Sequence, residues 1–259
     1  MSKRILIMGL PGSGKTTLAR ELFNLLKESD VVLYNADEVR KMHNDWDFSV
    51  EGRMRQAKRM RDLADQSTAD FVIVDFVCPL EMMREVYDPD WTIWLDTIDR
   101  SRYEDTNTLF KKPSHFEYDF RISEMNAKKY ASIIARAVLN NIRPVFCITK
   151  PTVQMLGRWQ PWHKGHRALF ERALAKTGQV IIMVRCCYDQ NNPFSFAEVE
   201  ERIRRDLDGE YKGLYSVYLV PNIVNITYGR DVGYKIEQET FDESITSISA
   251  TKIRKEMGL

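Results

Sequence analysis

Residues 9–16 read GLPGSGKT, which satisfies the phosphate-loop pattern GxxxxGK[ST]. Glycines let successive backbone amides converge on phosphate oxygens, and the following helix points its N-terminus at them. In this pattern Lys15 supplies a mobile positive charge and Thr16 a hydroxyl ligand for magnesium. The sequence therefore predicts a nucleotide-binding loop with Lys15 as a catalytic residue; the alternative is a glycine turn that only joins a strand to a helix. The other predicted nucleotide contacts are Gly9, Gly12, Ser13, Gly14 and Thr17.

A second segment, GRWQPWHKGH at residues 157–166, holds two histidines three positions apart across a turn. Both imidazoles can then face one phosphate. The helix that follows, which we expect to begin at about the second histidine, adds partial positive charge there, and Gly165 lets a nucleotide approach the backbone. The segment predicts that His163 and His166 are fixed catalytic donors to phosphate oxygens. The alternative is a capped turn without a ligand.

Alternating strand and helix patterns must position these two segments, and they predict an α/β protein with two doubly wound parallel-sheet domains. We place the boundary near residues 140–144, which gives domains at 1–142 and 143–259. Strands are predicted at 4–8, 31–34, 71–77, 91–96, 145–149, 179–185 and 216–220, and helices at 15–27, 50–65, 123–139, 165–176, 196–207 and from about 251.

The composition is that of an ordinary soluble globular protein, with 29% charged residues and Lys+Arg 38 against Asp+Glu 37. This balance gives no general electrostatic basis for binding nucleic acid or a membrane. The four cysteines lack the paired spacing of a zinc site and are expected to be buried thiols in a reducing compartment. The apolar run at the N-terminus is too short to span a membrane. We expect a cytoplasmic protein whose partners are ATP and small-molecule acceptors, and a homo-oligomer is left open.

The first half, over about residues 1–97, resembles the adenylylsulfate kinase family of small phosphate-loop kinases. The resemblance rests on GLPGSGKTTLA, on Asp37 with Arg40 three residues later, and on Phe48 and Ser49 followed by Arg53. It implies that Asp37 is catalytic and orients or deprotonates an acceptor hydroxyl. It also implies that Arg40 and Arg53 bind the acceptor's anionic part and that Phe48 stacks on its ring. The alternatives are a helix cap for Asp37 and solvated helix charges for the two arginines.

Two stretches of the first half depart from that family. Residues 35–37 read NAD, where the family usually has Gly and a second Asp. Residues 105–113, DTNTLFKKP, only loosely resemble the family's basic lid. Lys111 and Lys112 are expected to close over ATP. The identity of the acceptor therefore stays open.

In the second half, the order of strand, GRWQPWHKGH and helix resembles the nucleotidylyltransferases of the HxGH superfamily, which have a Rossmann-like fold. Residues 247–254, SISATKIR, match that superfamily's ISxTxxR-like motif. Together the motifs imply that Ser249 and Thr251 bind the β and γ phosphates and that Arg254 neutralises them during catalysis. A Ser/Thr-rich segment before a helix can also be only an N-cap. The resemblance further implies nucleotide contacts at Gly157, Arg158 and Gln160.

The second half, over about residues 145–259, is more similar to nicotinamide-nucleotide adenylyltransferases, with their GRFQPFHxGH pattern, than to cytidylyltransferases. Residues 191–203, NNPFSFAEVEERI, also resemble the NPF segment of the archaeal-type enzymes. Those enzymes carry a tryptophan after the fourth strand that stacks on nicotinamide. In this chain Tyr228 or Tyr234 could substitute, or the acceptor differs.

The two resemblances imply a bifunctional, ATP-dependent and Mg²⁺-dependent transferase. The N-terminal half would transfer the γ-phosphate of ATP to a hydroxyl. The C-terminal half would be a nucleotidylyltransferase, with nicotinamide mononucleotide adenylyltransferase as the best match, and would release pyrophosphate. Conversion of ribosylnicotinamide to its mononucleotide and then to the dinucleotide would satisfy both halves. The alternatives are an adenylylsulfate kinase fused to a cytidylyltransferase-like domain with an unrelated acceptor, and a nucleotide-binding sensor with one inactive site.

Overall fold

The computed structural model describes residues 2–227, 229, 233, 235–246 and 248–258. The chain divides into two compact units. The first comprises Met1–Arg143 with Asp208–Glu210, and the second Pro144–Leu207 with Tyr211–Leu259. The division of function at residues 142 and 143 stays a proposal.

The first unit is a five-stranded parallel sheet with helices on both faces. Its elements are β1 (Lys3–Gly9), α1 (Lys15–Leu26), β2 (Val31–Asn35), α2 (Ala36–Met42), α3 (Val50–Gln66), β3 (Phe71–Asp75), α4 (Glu81–Tyr87), β4 (Trp91–Leu95), α5 (Glu104–Leu109), β5 (Phe120–Ile122) and α6 (Ala127–Asn140). The strand order is β2-β3-β1-β4-β5.

The central strand β1 is buried on both faces, which makes this sheet doubly wound. Ile5 and Ile7 pack with α1 and α6, whereas Leu6 and Met8 pack with α3 and α4. β1 lies between β3 and β4, so the chain changes direction across the sheet at its carboxyl end. Open α/β sheets bind their ligands at such a switch point, and the GLPGSGKT loop leaves β1 there.

The second unit is a three-stranded parallel sheet in the order β6-β7-β8. Its elements are β6 (Val153–Gly157), α7 (Lys164–Thr177), β7 (Val180–Arg185), α8 (Phe196–Leu207), β8 (Tyr215–Val220), α9 (Glu243–Thr246) and α10 (Ala250–Glu256). Met155, Ile182, Phe170 and Ile203 belong to its core. The GRWQPWHKGH segment starts at the end of β6 and runs into α7. The predicted fold class, two doubly wound parallel-sheet domains, is confirmed.

The strand predicted at residues 145–149 is wrong. Val145 is 76% exposed and Ile148 84% exposed, and the first strand of the second unit is β6, which pairs Val153 with Val180 and Gly157 with Val184. Both stretches are short and apolar, so local propensity cannot decide which of them pairs. The pairing with β7 decides it.

Further corrections concern shorter features. The helix predicted from residue 123 begins at Ala127, because the Asn126 side chain caps it by accepting from the Lys129 amide. Short helices α2, α4, α5 and α9 and strand β5 were not predicted. The prediction of buried thiols holds only for Cys78, since Cys186 is exposed and the other two cysteines are half-buried. No helix in the described ranges is long and apolar enough to cross a membrane.

Candidate functional sites

The GLPGSGKT loop depends on its glycines. Gly9, Gly12 and Gly14 have φ of 147°, 89° and 94°, in the region that favours glycine. A Cβ at Gly9 would lie 2.5 Å from the carbonyl oxygen of Leu95. The loop can therefore run close against β4 and deliver Lys15 as the first residue of α1.

Four polar side chains meet where the loop enters α1. The Lys15 Nζ donates to the Leu10 carbonyl at 2.9 Å. The Thr16 hydroxyl donates to Asp75 Oδ2 at 2.6 Å, and the Asn35 amide donates to the same oxygen at 2.9 Å. Asn35 and Asp75 are paired residues at the carboxyl ends of β2 and β3. They were not among the predicted site residues, although their positions at strand ends were the available signal.

Burial governs the two charges of this cluster. Desolvation lowers the pKa of the Lys15 ammonium, and the carboxylates of Asp75 and Asp37 oppose that change. Desolvation raises the pKa of Asp75, and the Thr16 hydrogen bond and the Lys15 charge oppose it. The ammonium and the carboxylate thus stabilise each other's charged forms in a dry site, where electrostatic interactions are strong.

The cluster fits a magnesium ion that is bound together with nucleotide. Within the described residues, no group of three or more His, Cys, Asp or Glu side chains is placed to hold a metal alone. However, Thr16 and Asp75 put two hard oxygen ligands side by side. Magnesium is commonly held by one or two protein oxygens with substrate phosphates and waters.

Asp37 is exposed on α2, in the cleft that also contains Lys15. It does not cap this helix. The Asn35 side chain is the cap and accepts from the amides of Asp37 and Glu38. The capping alternative for Asp37 is therefore wrong, and its carboxylate faces the cleft region, where an acceptor hydroxyl would be oriented.

Arg40 and Arg53 are buried, so the alternative of solvated helix charges is wrong. Arg40 donates to the carbonyls of Asp45 and Asp47. Arg53 donates to the carbonyl of Phe48 at 2.8 Å. Both guanidinium groups thus hold the 45–48 loop. A direct contact with the acceptor stays a prediction.

The cleft beside Lys15 has a volume of about 1020 Å³. Phe48 lines it, and so does Trp46, which sequence reasoning missed. Stacking of Phe48 on the ring of an acceptor stays a prediction. A separate cavity of about 170 Å³ lies on the other side of the loop, against Ser13, Thr17, Leu18 and Leu95. Its mostly apolar lining suits a flat base. The Lys112 Nζ lies 3.5 Å from Asp96 Oδ1, and its closure over ATP stays a prediction.

In the second unit, α7 begins at Lys164, one residue before the predicted start at Gly165. His163 is its N-cap, and its Nδ1 accepts the amide hydrogen of Gly165 at 3.1 Å. The neutral His163 therefore carries its proton on Nε2, as assigned from this hydrogen bond. The imidazoles of His163 and His166 are stacked, with centroids 3.6 Å apart.

His166 lies among aromatic rings. Its centroid is 4.8 Å from that of Trp159 and 5.5 Å from that of Trp162. Burial, aided by the charge that His163 would carry, lowers the pKa of His166 to about 3. Burial also lowers the pKa of His163. The His166 Nδ1 is buried and has no hydrogen-bond partner. A buried polar atom without a hydrogen-bond partner destabilises the fold, unless a ligand supplies the missing hydrogen bond.

These shifted pKa values predict that acid destabilises α7. In the unfolded chain this histidine has a pKa of about 6.5 and is protonated below that pH, whereas the folded His166 stays neutral. The free energy of unfolding therefore falls as the pH falls from about 6.5 towards 3. Between pH 7 and pH 5, the free energy of opening of α7 should fall by about 2 kcal/mol more in the wild type than in His166→Phe. Hydrogen exchange of the α7 amides, corrected for intrinsic rates, measures this difference. An equal fall in both proteins would contradict it.

Two glycines of the segment serve its own packing. A Cβ at Gly157 would lie 2.6 Å from the Trp159 ring, and one at Gly165 would lie 3.0 Å from the His163 ring. The space that we expected a nucleotide to use at Gly165 is therefore occupied by the His163 imidazole. Contact of either glycine with a nucleotide stays a prediction. Arg158 is exposed.

The two C-terminal motifs meet in the structure. Arg254 Nη1 donates to the Gln160 carbonyl, and its Nη2 donates to the Thr251 hydroxyl at 3.2 Å. The Gln160 side chain is fixed in turn by two hydrogen bonds to the backbone of Phe194. Ser249 stands at the N-cap position of α10 but makes no capping hydrogen bond with its side chain, which disfavours a purely structural role.

Three further residues singled out from the sequence, Tyr228, Tyr234 and Ser247, lie outside the described residues.

Each half of the chain matches a different protein family model. Residues 1–94 match the adenylylsulphate kinase family model, and residues 155–205 match the cytidylyltransferase-like family model. Among solved structures, an APS kinase from Mycobacterium tuberculosis in complex with AMPPNP and APS is 19% identical, with a TM-score of 0.44 over 53% of this chain and 98% of that chain. Shikimate kinase from Aquifex aeolicus is 17% identical, with a TM-score of 0.40 over 53% of this chain and 97% of that chain.

The curated relatives are nicotinamide-nucleotide adenylyltransferases. The protein from Ignicoccus hospitalis is 35% identical over 68 residues, which are 25% of this chain and 40% of that protein. The protein from Methanococcus maripaludis is 25% identical over 129 residues, 40% of this chain and 75% of that protein. The chain thus spans two fifths of the length of the first of these relatives. It is an enzyme with a kinase-like half that resembles the adenylylsulfate kinase family and a nucleotidyltransferase-like half that resembles the HxGH superfamily.

Proposed function

We propose that the chain is a bifunctional transferase of the cytoplasm that uses ATP and magnesium at both sites. The first site transfers the γ-phosphate of ATP to a hydroxyl. The second joins a nucleoside monophosphate, taken from a nucleoside triphosphate, to a phosphate acceptor. The observation that carries the proposal is that both signatures are assembled in space: Thr16 on Asp75 in the first unit, and Arg254 on the Gln160 carbonyl in the second.

At the first site, the acceptor oxygen attacks the γ-phosphorus of ATP and the bond from that phosphorus to the bridging oxygen breaks. ADP leaves, and the hydroxyl proton passes to Asp37. Lys15 leaves the Leu10 carbonyl to neutralise the charge that develops on the phosphoryl oxygens. Thr16 and Asp75 would hold a magnesium ion together with the phosphates, and that ion would supply positive charge to the transfer.

At the second site, an oxygen of the acceptor phosphate attacks the α-phosphorus of the triphosphate. The bond from the α-phosphorus to the oxygen that bridges it to the β-phosphate breaks, and pyrophosphate leaves. No covalent enzyme intermediate forms. His163 and His166 are neutral donors to the oxygens around the α-phosphorus, and Ser249, Thr251 and Arg254 bind the departing β and γ phosphates. The groups need no change of protonation during the step.

Nicotinamide mononucleotide is the best candidate for the phosphate acceptor. The curated relatives, which are named nicotinamide-nucleotide adenylyltransferases, support this choice. The similarity of GRWQPWHKGH to the GRFQPFHxGH pattern of such enzymes also supports it. The match to the cytidylyltransferase-like family keeps CTP and another acceptor as the second candidate. A nucleotide sensor with one inactive site is disfavoured by the presence of Lys15, His163, His166 and Arg254.

The test measures ADP and pyrophosphate separately. Purified protein with ATP and magnesium should release pyrophosphate when nicotinamide mononucleotide is added, and CTP should support this reaction poorly. ADP should form only with a hydroxyl acceptor. If ATP binds but neither product forms with any small hydroxyl or phosphate acceptor, the protein is a sensor and the proposal is wrong.

A further inference from the structure

Two aromatic rings stand exposed in the cleft beside Lys15. Trp46 is 51% exposed and Phe48 47% exposed, and both line this cleft. Their ring centroids are 6.4 Å apart with an interplanar angle of 42°. Exposed aromatic rings in a concave polar site offer a stacking surface for a planar ligand. Nothing in the phosphate-transfer machinery uses Trp46.

Phe48 is held in place by two buried cations. The guanidinium carbon of Arg40 lies 4.8 Å from the Phe48 centroid, and that of Arg53 lies 5.5 Å from it. Arg40 is 4% exposed and Arg53 7% exposed, so only a small part of either side chain is open to the cleft that both residues line. Their hydrogen bonds to the carbonyls of the 45–48 loop give them a positioning role. The two arginines thus position the loop that carries Trp46 and Phe48, and we call these two rings the aromatic wall.

The charge of Arg53 is also compensated. Its Nη2 donates to Asp105 Oδ2 and to the Thr106 hydroxyl, both at 2.9 Å. Asp105 is 63% exposed in its side chain and lines the same cleft, as does Asp37. An anionic substituent that approached Arg53 would have to displace a carboxylate and would be repelled by it.

We infer that the kinase-like cleft takes a nucleoside-like acceptor: a planar ring stacked on Trp46 and Phe48, a hydroxyl presented to Asp37, and no phosphate or sulfate group. This inference rests on the proposed kinase activity of the cleft. The hydroxyl oxygen forms the bond to the γ-phosphorus of ATP, ADP departs with the electrons of the broken bond, and the proton goes to Asp37. The product is a phosphate monoester of a nucleoside.

That product belongs to the chemical class that the second site consumes. A nucleotidyl transfer needs a phosphate acceptor, and a nucleoside becomes one only after phosphorylation of its hydroxyl. The inferred acceptor class therefore makes the two reactions consecutive.

The first test compares three probes: adenosine, ribosylnicotinamide and adenylylsulfate. Binding is measured by calorimetry and turnover by ADP formation. At least one of the two nucleosides should bind about tenfold more tightly than adenylylsulfate and support faster ADP formation. Tighter binding of adenylylsulfate, or no binding of either nucleoside, would overturn the inference. Binding of a nucleoside without ADP formation from any probe would instead refute the proposed kinase activity.

Variants of the aromatic wall test the contact itself. Trp46→Ala should weaken binding of the nucleoside about tenfold, because stacking of a base on an aromatic ring is lost, whereas Trp46→Phe should retain most of it. ATP affinity should not change in either variant. Phe116→Ala removes a ring that is 86% exposed outside the cleft and is the matched control. Equal nucleoside affinity in Trp46→Ala and in the wild type would exclude the stacking role.

Asp105→Asn tests the charge argument separately. This change keeps the size of the side chain but removes the negative charge beside Arg53. Binding of adenylylsulfate should tighten about fivefold or more, while binding of an uncharged nucleoside should change less than twofold. If the affinity for adenylylsulfate does not increase in Asp105→Asn, Asp105 does not select against anionic acceptors and this part of the inference fails.

Discussion

Replacing Lys15 with Met is expected to lower the rate of ADP formation about 1000-fold or more and to leave pyrophosphate release unchanged. The methionine keeps the buried stem of the side chain but removes the ammonium group, which is held near the phosphate position by the Leu10 carbonyl. Loss of a preorganised positive charge at a phosphoryl-transfer site costs about 4 kcal/mol in the transition state. Both products are measured in one reaction that contains a hydroxyl acceptor and a phosphate acceptor.

Lys27→Met is the matched control, because Lys27 is an exposed lysine at the other end of α1. It makes the same change of charge far from the loop and should leave ADP formation intact. Comparable loss of ADP and pyrophosphate in Lys15→Met would mean that one site serves both reactions, which would refute the two-site proposal. Thermal unfolding of both variants checks that α1 remains folded.

The sequence could predict these loops because each depends on a short, local pattern. The glycines of GLPGSGKT permit the backbone conformation that the loop needs, and Gly12 and Gly14 adopt a positive φ without steric strain. Hydrophobic alternation with helices likewise predicts a parallel sheet. Several of the parts that were wrong or missing depend on partners far away in the chain.

Asp75 and Asp105 illustrate that dependence. Asp75 becomes part of the first site only because β1 and β3 pair in register, with Ile7 opposite Asp75, and bring it to Thr16, 59 residues away. Asp105 compensates Arg53 across 52 residues, so an arginine that a motif assigns to an acceptor is already paired. Similarly, the strand at β6 rather than at 145–149 follows from pairing with β7. No local pattern contains such information.

His166→Ala is expected to lower kcat of nucleotidyl transfer by a factor of about 100 to 1,000 and to change ATP affinity much less. The reason is that a neutral imidazole donor fixed beside the α-phosphate strengthens its hydrogen bond chiefly as pyrophosphate departs. The ring is preorganised by its contacts with His163, Trp159 and Trp162. Kinase activity in the same protein should not change and is the internal control.

The ring contacts also raise the alternative that His166 only packs the loop. His166→Phe separates the two roles, because phenylalanine keeps an aromatic ring against Trp159 and Trp162 but has no N–H group. A donor role predicts that the Phe variant loses as much kcat as the Ala variant while remaining folded. A packing role predicts that Phe restores activity and that Ala unfolds the second unit. Since His163, and not His166, is the N-cap of α7, loss of the cap cannot account for the effect, and wild-type turnover in the Phe variant would show that His166 is not a donor.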